Sequence, residues 1–404
     1  MADTAVSGDS YHLHLPSSPI RMLNVSSRYS KMPDYSSSRA SNLSSSMDSE
    51  KLVATALDGN SPVDLLINAI QEGNASAVQS IVRSRGLNLK AKYWTNVSVP
   101  IMPLHRAITG LHHHGSEQRV ISTLSVLLQL GAEINYIDSS GNSVLHHVIK
   151  VCTSKSICAM LELLLVQGAN PNHLDFDKGE SPLHLECRCL RDASPDILTM
   201  LLGSGAKPNL RRHTVVNSQK KELAFTSLTT LLVNIPKPLD KARGCGSRTW
   251  IRCLQILVKG GAKWEPSFIC CPKKRATQLN LLLDLFPPTP NDITAFVELL
   301  CDAVDGGFDL YQVNARGHSP LYQLCERLGA TPMQDCPEAS RVLQTLLAFY
   351  DTRGVGSAAV NRDGQSLTDI RPTVNKSCLS FCRGALTSAL SSPSLIKSGP
   401  QGPS

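Results

Sequence analysis

Histidine and cysteine are the side chains of this chain with the clearest capacity for chemistry, twelve of the first and thirteen of the second. His105, His146 and His184 follow a leucine in the phrases MPLHRAI, NSVLHHVI and SPLHLEC, and His112, His113 and His114 stand together in a short polar stretch. A zinc site needs converging ligands at short, paired spacings. Histidines 41 and then 38 residues apart do not supply them. Cys187 with Cys189, and the adjacent Cys270 and Cys271, lack a second matching pair, so small buried packing residues explain them better than metal ligands. There is no phosphate-cradling glycine loop, no G-x-S-x-G elbow and no H-E-x-x-H pair, each of which carries a specific catalytic geometry. The expectation is a chain that is not an enzyme and binds no cofactor or metal.

The same phrases locate the elements that must position these side chains. MPLHRAI at 102, NSVLHHVI at 142, SPLHLEC at 181 and SPLYQLC at 319 are versions of one opening, each followed by an apolar run and a glycine turn. In Ser181-Pro182 and Ser319-Pro320 the serine can cap free backbone N–H groups while proline suits the first helical position. At the other end, Gly131, Gly168, Gly205 and Gly261 close LLQLGAEIN, LLVQGANPN, LLGSGAKPN and LVKGGAK, where a left-handed residue must turn the chain out of a helix. Recurring openings and closures of this kind predict stacked two-helix repeats in place of a single globular core. An additional, degenerate opening repeat is expected over Asp64 to Gly86, where Leu65, Leu66, Ile70, Val78, Ile81 and Val82 keep helical spacing.

This pattern resembles the ankyrin repeat, whose TPLH opening, LLL second helix and G-A-x-x-N turn are matched across roughly residues 61–375. The resemblance implies an all-α fold, an ankyrin-repeat solenoid of about seven irregular helix-turn-helix units with β-hairpin fingers, and a role in binding other proteins. It further implies that the histidine of the opening is a structural hydrogen-bonder between neighbouring turns. The reference leucines Leu104, Leu145, Leu183, Leu228, Leu279, Leu321 and Leu367 stand 41, 38, 45, 51, 42 and 46 residues apart, all above the roughly 33 of a standard ankyrin repeat. Most of the surplus falls between the two helices of a repeat, as in TGLHHHGSEQRV, VNIPKPLDKARGCGSRT, LFPPTPND and LGATPMQDCPEA. One finger, from Gly205 to Leu228, is also long.

Charge on the expected fingers is uneven. Asp138, Asp175, Asp177 and Glu180 precede the third and fourth repeats, whereas the next two fingers carry Arg211, Arg212, Lys220 and Lys221, then Lys273, Lys274 and Arg275. Side by side, those two clusters would merge into a positive patch suited to a protein partner with an acidic segment. A solvated face without a specific partner explains the same charges, since the net charge is only +7. The absence of interleaved aromatics argues against nucleic acid, although PKKRA at 272 is a short match to a nuclear import signal.

Residues 1–60 form a serine-rich tail and 391–404 a second loose tail, both expected to be disordered. Residues 376–390 read as a capping helix for the last repeat. The segment from Ser377 to Leu386 also resembles the elongin-binding box of ankyrin substrate receptors in ubiquitin ligases. That resemblance implies contact with elongin B/C through Cys378, Cys382 and Leu386, with Cys378 standing where the box has leucine. No apolar run approaches the roughly 20 residues of a membrane span, and no basic-then-apolar leader opens the chain. The resulting expectation is a cytoplasmic or nuclear scaffold or adaptor with reduced thiols.

Overall fold

The computed structural model describes residues 61–90, 102–111, 116–151, 156–190, 194–214, 223–235, 247–270, 275–286, 292–329, 336–350, 361 and 384. These residues are predominantly helical, and the fold is all-α. Two compact units divide them, one taking residues within 61–186 and 196–207, the other residues within 187–195 and from 208 onward.

The helices of the first unit are α1 (Pro62–Gln71), α2 (Ala75–Arg85), α3 (Pro103–Thr109), α4 (Glu117–Gln129), α5 (Val144–Val151) and α6 (Ser156–Val166). Most of α7 (Pro182–Cys189) and α8 (Ser194–Gly203) also belongs to it. The second unit holds α9 (Ser227–Asn234), α10 (Ser247–Lys259), α11 (Gln278–Asp284), α12 (Ile293–Asp305), α13 (Pro320–Gly329) and α14 (Cys336–Leu347). Fourteen helices therefore make seven consecutive pairs among the described residues. Leu104, Leu145, Leu183, Leu228, Leu279 and Leu321 each lie near the start of the first helix of a pair and are buried. Leu367 lies outside the described residues.

Packing follows the pairs. In the first unit α1, α3 and α5 touch in succession, α2, α4 and α6 form the neighbouring row, and the pairs α1–α2, α3–α4 and α5–α6 also pack internally. The second unit repeats the arrangement with α9, α11 and α13 against α10, α12 and α14. Helices of the first row are short and covered on most sides: in α5 every residue except Lys150 is buried, as expected of a helix with apolar character all round. Helices of the second row bury one stripe, such as Val120, Leu124 and Leu127 in α4 and Phe296, Leu299, Leu300 and Ala303 in α12.

Local chemistry explains the ends. Pro182 and Pro320 open α7 and α13, and the hydroxyl of Ser319 accepts from the Tyr322 N–H at 3.1 Å. The glycines at 131, 168, 205 and 261 all have φ between +86° and +89°, the left-handed region that closes a helix without a Cβ penalty. The stretches expected to lengthen the repeats separate α3 from α4, α9 from α10, α11 from α12 and α13 from α14.

The fingers differ from expectation. Among the described residues one two-stranded ladder forms, β1 (Arg212–Thr214) against β2 (Leu223–Phe225), antiparallel with Arg212 opposite Phe225. It occupies the long finger. The loop ahead of α5 closes with a single bridge between Ile137 and Ser143, because its turn is already tied at Asp138, whose N–H donates to the Asn142 carbonyl at 3.0 Å.

Two glycines with positive φ separate backbone strain from crowding. At Gly205 an added Cβ would meet no heavy atom within 4 Å, whereas at Gly141 it would lie 2.6 Å from Cγ of Phe176. Gly205→Ala should destabilise by about 1 kcal/mol through φ alone. Gly141→Ala should destabilise more, and chemical denaturation followed by circular dichroism ranks the two. Equal losses would contradict the crowding at Gly141.

Candidate functional site

The loops joining one helix pair to the next are the candidate binding elements, and one amide clamp recurs along them. In the first unit the Asn135 side chain donates to the Gly168 carbonyl at 3.2 Å and accepts from the Asn170 N–H at 2.8 Å. Asn172 makes the same pair of bonds to Gly205 and Lys207, at 2.9 and 2.8 Å. In the second unit Asn209 makes them to Gly261 and Lys263, at 2.8 and 2.9 Å. The last asparagine of each G-A-x-x-N turn thus hooks the helix-ending turn of the following pair, satisfying orphaned helix-end carbonyls.

The opening histidines form a second set of bonds. His146 Nδ1 accepts from the Ser143 N–H at 3.2 Å, beside the Ser143 hydroxyl at 2.8 Å, and its Nε2 lies 2.9 Å from the Glu180 carbonyl. Because a backbone N–H can only donate, Nε2 carries the proton and donates to Glu180. His105 Nε2 meets the Asn142 carbonyl in the same way at 3.2 Å. Burial pushes His105 down to about 3, helped by nearby His147, and pushes His146 down to about 4. Both are neutral near pH 7. The imidazoles therefore link each helix opening to the backbone just before the next.

Adjacent fingers of the first unit are bonded directly. His173 Nε2 lies 3.0 Å from the Gly141 carbonyl, and the Phe176 N–H donates to the Ser140 carbonyl at 2.9 Å. Asp138 accepts from the backbone N–H groups of Ser140 and Asn142 and lies 2.9 Å from His147 Nε2. Burial would raise its carboxyl, but the bonds from His147 and Asn142 outweigh that and hold it well below the usual carboxylate range. Asp175 likewise accepts from the N–H groups of Lys178 and Glu180. Asp175 and Glu180 are buried, and Asp177 is exposed. Asp138 and Asp175 are thus committed to their own turns.

The basic residues divide in the same fashion. Arg211 is exposed and paired with Glu265, which stands on the next finger. Burial pushes the Glu265 carboxyl up, against the pull of Arg211 and a hydrogen bond from Thr229. Arg212, expected on the exposed patch, is buried, with its guanidinium 4.9 Å from the Phe225 ring centre. The β1–β2 register places these two side chains opposite one another, so the apolar stem and planar head pack inward. Arg275 is exposed. Lys220, Lys221, Lys273 and Lys274 lie outside the described residues, as do His112, His113, His114, Cys271, Cys378, Cys382 and Leu386. Fingers 211 and 265 are thus adjacent, as expected, but what meets there is an ion pair.

Three features escaped the sequence. Phe176 sits on Gly141 with 67% of its surface exposed, and its only signal is an aromatic at a turn tip where polar residues are usual. Buried Gln278 donates to Thr229 at 2.7 Å and accepts from the Glu265 N–H at 2.7 Å. Gln323 joins Asn280, at 3.0 Å, to Asp284, at 2.7 Å. These are amides inside apolar helices, which periodicity reads as ordinary core. Among the described residues no group of three His, Cys, Asp or Glu could hold a metal, and no helix is long and apolar enough to cross a membrane.

No model of a known protein family matches the chain, and no curated protein aligns with it significantly.

The two arginines should respond oppositely to truncation. Arg211→Ala removes an ion pair whose arginine side chain is 54% exposed, and should change stability by less than ~1 kcal/mol. Arg212→Ala empties a buried site over an aromatic ring and should cost about 2 kcal/mol. Denaturation followed by fluorescence of Trp250 and Trp264, both in the same unit, measures each loss. A larger loss for Arg211→Ala would reverse these assignments.

Proposed function

We propose that this chain is a non-catalytic protein-binding scaffold of the ankyrin-repeat type, its helix pairs stacked as a solenoid with the connecting fingers as the recognition elements. The observation that carries the reading is the asparagine clamp at 135, 172 and 209, made each time to a glycine carbonyl and to the N–H two residues beyond it. A motif that recurs in sequence and makes the same bonds at each recurrence supports nearest-neighbour stacking of one structural unit. The histidines support the non-catalytic part, since His146 has both ring nitrogens engaged by its own helix opening and by the next.

Recognition is assigned to the exposed finger residues of each unit. In the first unit Phe176 is a fixed, solvent-facing aromatic on a rigid turn, the kind of side chain that anchors protein interfaces. In the second, Arg211 and Arg275 are exposed basic residues among those described, suited to an acidic protein segment. Arg212 belongs to the supporting structure.

Proximity labelling with the full chain in cells, followed by binding of purified candidates, tests the reading. Phe176→Ser, or Arg211→Ala combined with Arg275→Ala, should weaken a direct partner at least 10-fold without changing the melting temperature. Equal binding of every purified partner to all variants would remove the fingers from recognition.

A further inference from the structure

The side chain that opens each helix pair differs between the two units. In the second unit the place is held by Thr229, Asn280 and Tyr322, of which Thr229 and Asn280 bond to the cap residues Thr226 and Thr277 at 3.1 and 3.0 Å. These two are joined onward by the amides of Gln278 and Gln323. None of these side chains titrates between pH 4 and 8. In the first unit His105, His146 and His184 hold the same place, His184 bonding to the cap residue Ser181 at 2.8 Å, and His147 and His173 pack against the first two at ring separations of 4.7 and 6.3 Å.

We propose that this histidine seam is an acid-operated latch. Protonation below about pH 6 releases the step from α3 to α5 and the fingers at 138–142 and 173–180, while the second unit stays closed.

Three observations support the latch. First, the geometry favours the neutral ring: Nε2 of His105 and of His146 is spent on a backbone carbonyl, and a proton on Nδ1 of His146 would be set against the Ser143 N–H at 3.2 Å, with only the Ser143 hydroxyl at 2.8 Å to accept it. Second, the surrounding charges cannot absorb the added ones. His105 is acted on by His147 and His146 of α5 and by Asp138, while His146 is acted on by Lys150 of its own helix and by Asp175 and His173 of the next finger. Protonating His105 and His146 would therefore add two buried positive charges beside Lys150, against the carboxylates of Asp138 and Asp175. Third, burial works in the same direction, since both rings are at least nine-tenths covered.

The linkage has a definite sign. Once released, each ring takes a proton near pH 6.5, whereas the closed seam holds His146 down to about 4 and His105 to about 3. Acid therefore favours the released form between those limits, and nothing changes above about pH 7. At pH 5 the released population should rise about 30-fold for each histidine, and about 1000-fold for the two together, relative to pH 7.5.

Hydrogen exchange of the full chain at pH 7.5, 6.0 and 5.0, corrected for intrinsic rates, tests the latch with the second unit as internal reference. Protection should fall across residues 103–151 and hold across 278–328. His105→Asn combined with His146→Thr, using the residue types the chain itself places at 280 and 229, should keep the helical spectrum at pH 7.5 and abolish the acid step. Even loss across both units, no loss at pH 5, or an acid step that persists in the double variant would overturn the proposal. If the double variant does not fold, NMR titration of the wild-type rings decides: His105 and His146 titrating above pH 6 while the step from α3 to α5 stays closed overturns it, and rings that gain a proton only as that step opens uphold it.

Discussion

The structure depends on matching each helix opening to the backbone that precedes the next one. A pair of short helices is too thin to bury both of its faces, so its stability comes from its neighbours. Apolar contact supplies most of that energy but is indifferent to sliding and rotation. Directional bonds supply the register. His146 reaching the Glu180 carbonyl, and Asn135 and Asn172 reaching Gly168 and Gly205, fix how far one pair is displaced from the next. These groups are polar atoms at the boundary between layers, where an unpaired donor or acceptor would cost on the order of 1–3 kcal/mol. The penalty for a wrong step enforces the right one.

The same requirement explains why the chemistry-bearing side chains do no chemistry in the proposed reading. An imidazole serves well as a connector because it can accept at one nitrogen and donate at the other, along nearly opposite directions. That use fixes its tautomer and buries it, and burial removes the ready protonation that makes histidine useful as a base. Thr229 and Asn280 show that the position needs a cap-bonding group and not an imidazole as such. The choice of histidine in one unit and of hydroxyl and amide in the other therefore alters how the connection responds to solution conditions while leaving its geometric task unchanged.

How much was legible in the sequence follows from whether a feature is set locally. Helix openings at Pro182 and Pro320 and the turns at Gly131, Gly168, Gly205 and Gly261 depend on φ preferences and on bonds within four residues, and each was readable. So was the placement of the surplus length between helices. The direction of a charged side chain was not. Arg211 and Arg212 are neighbours of identical charge, yet strand alternation sends one to solvent and the other under Phe225. That outcome rests on the pairing register of β1 with β2, which no local pattern specifies. Asp175 was misread for a related reason: a carboxylate in a turn has backbone N–H groups within reach, and folding aims it at those of Lys178 and Glu180.

A surface with part of its charge withdrawn into its own turns limits what can recognise it. Long-range steering falls with each carboxylate or guanidinium withdrawn from solvent, and in the described fingers Asp138, Asp175, Glu180 and Arg212 are wholly or largely withdrawn. What remains outside includes an aromatic ring at Phe176 held on Gly141, the ion-paired Arg211 and the exposed Arg275. Interfaces built on few anchors in fixed positions gain affinity from preorganisation, because little side-chain freedom is lost on binding. The bonds that tie Phe176 to Ser140 and His173 to Gly141 are the source of that preorganisation. On the proposed reading, recognition in the first unit is therefore only as firm as the seam beneath its fingers, and a change that loosens the step between α3 and α5 loosens the anchor with it.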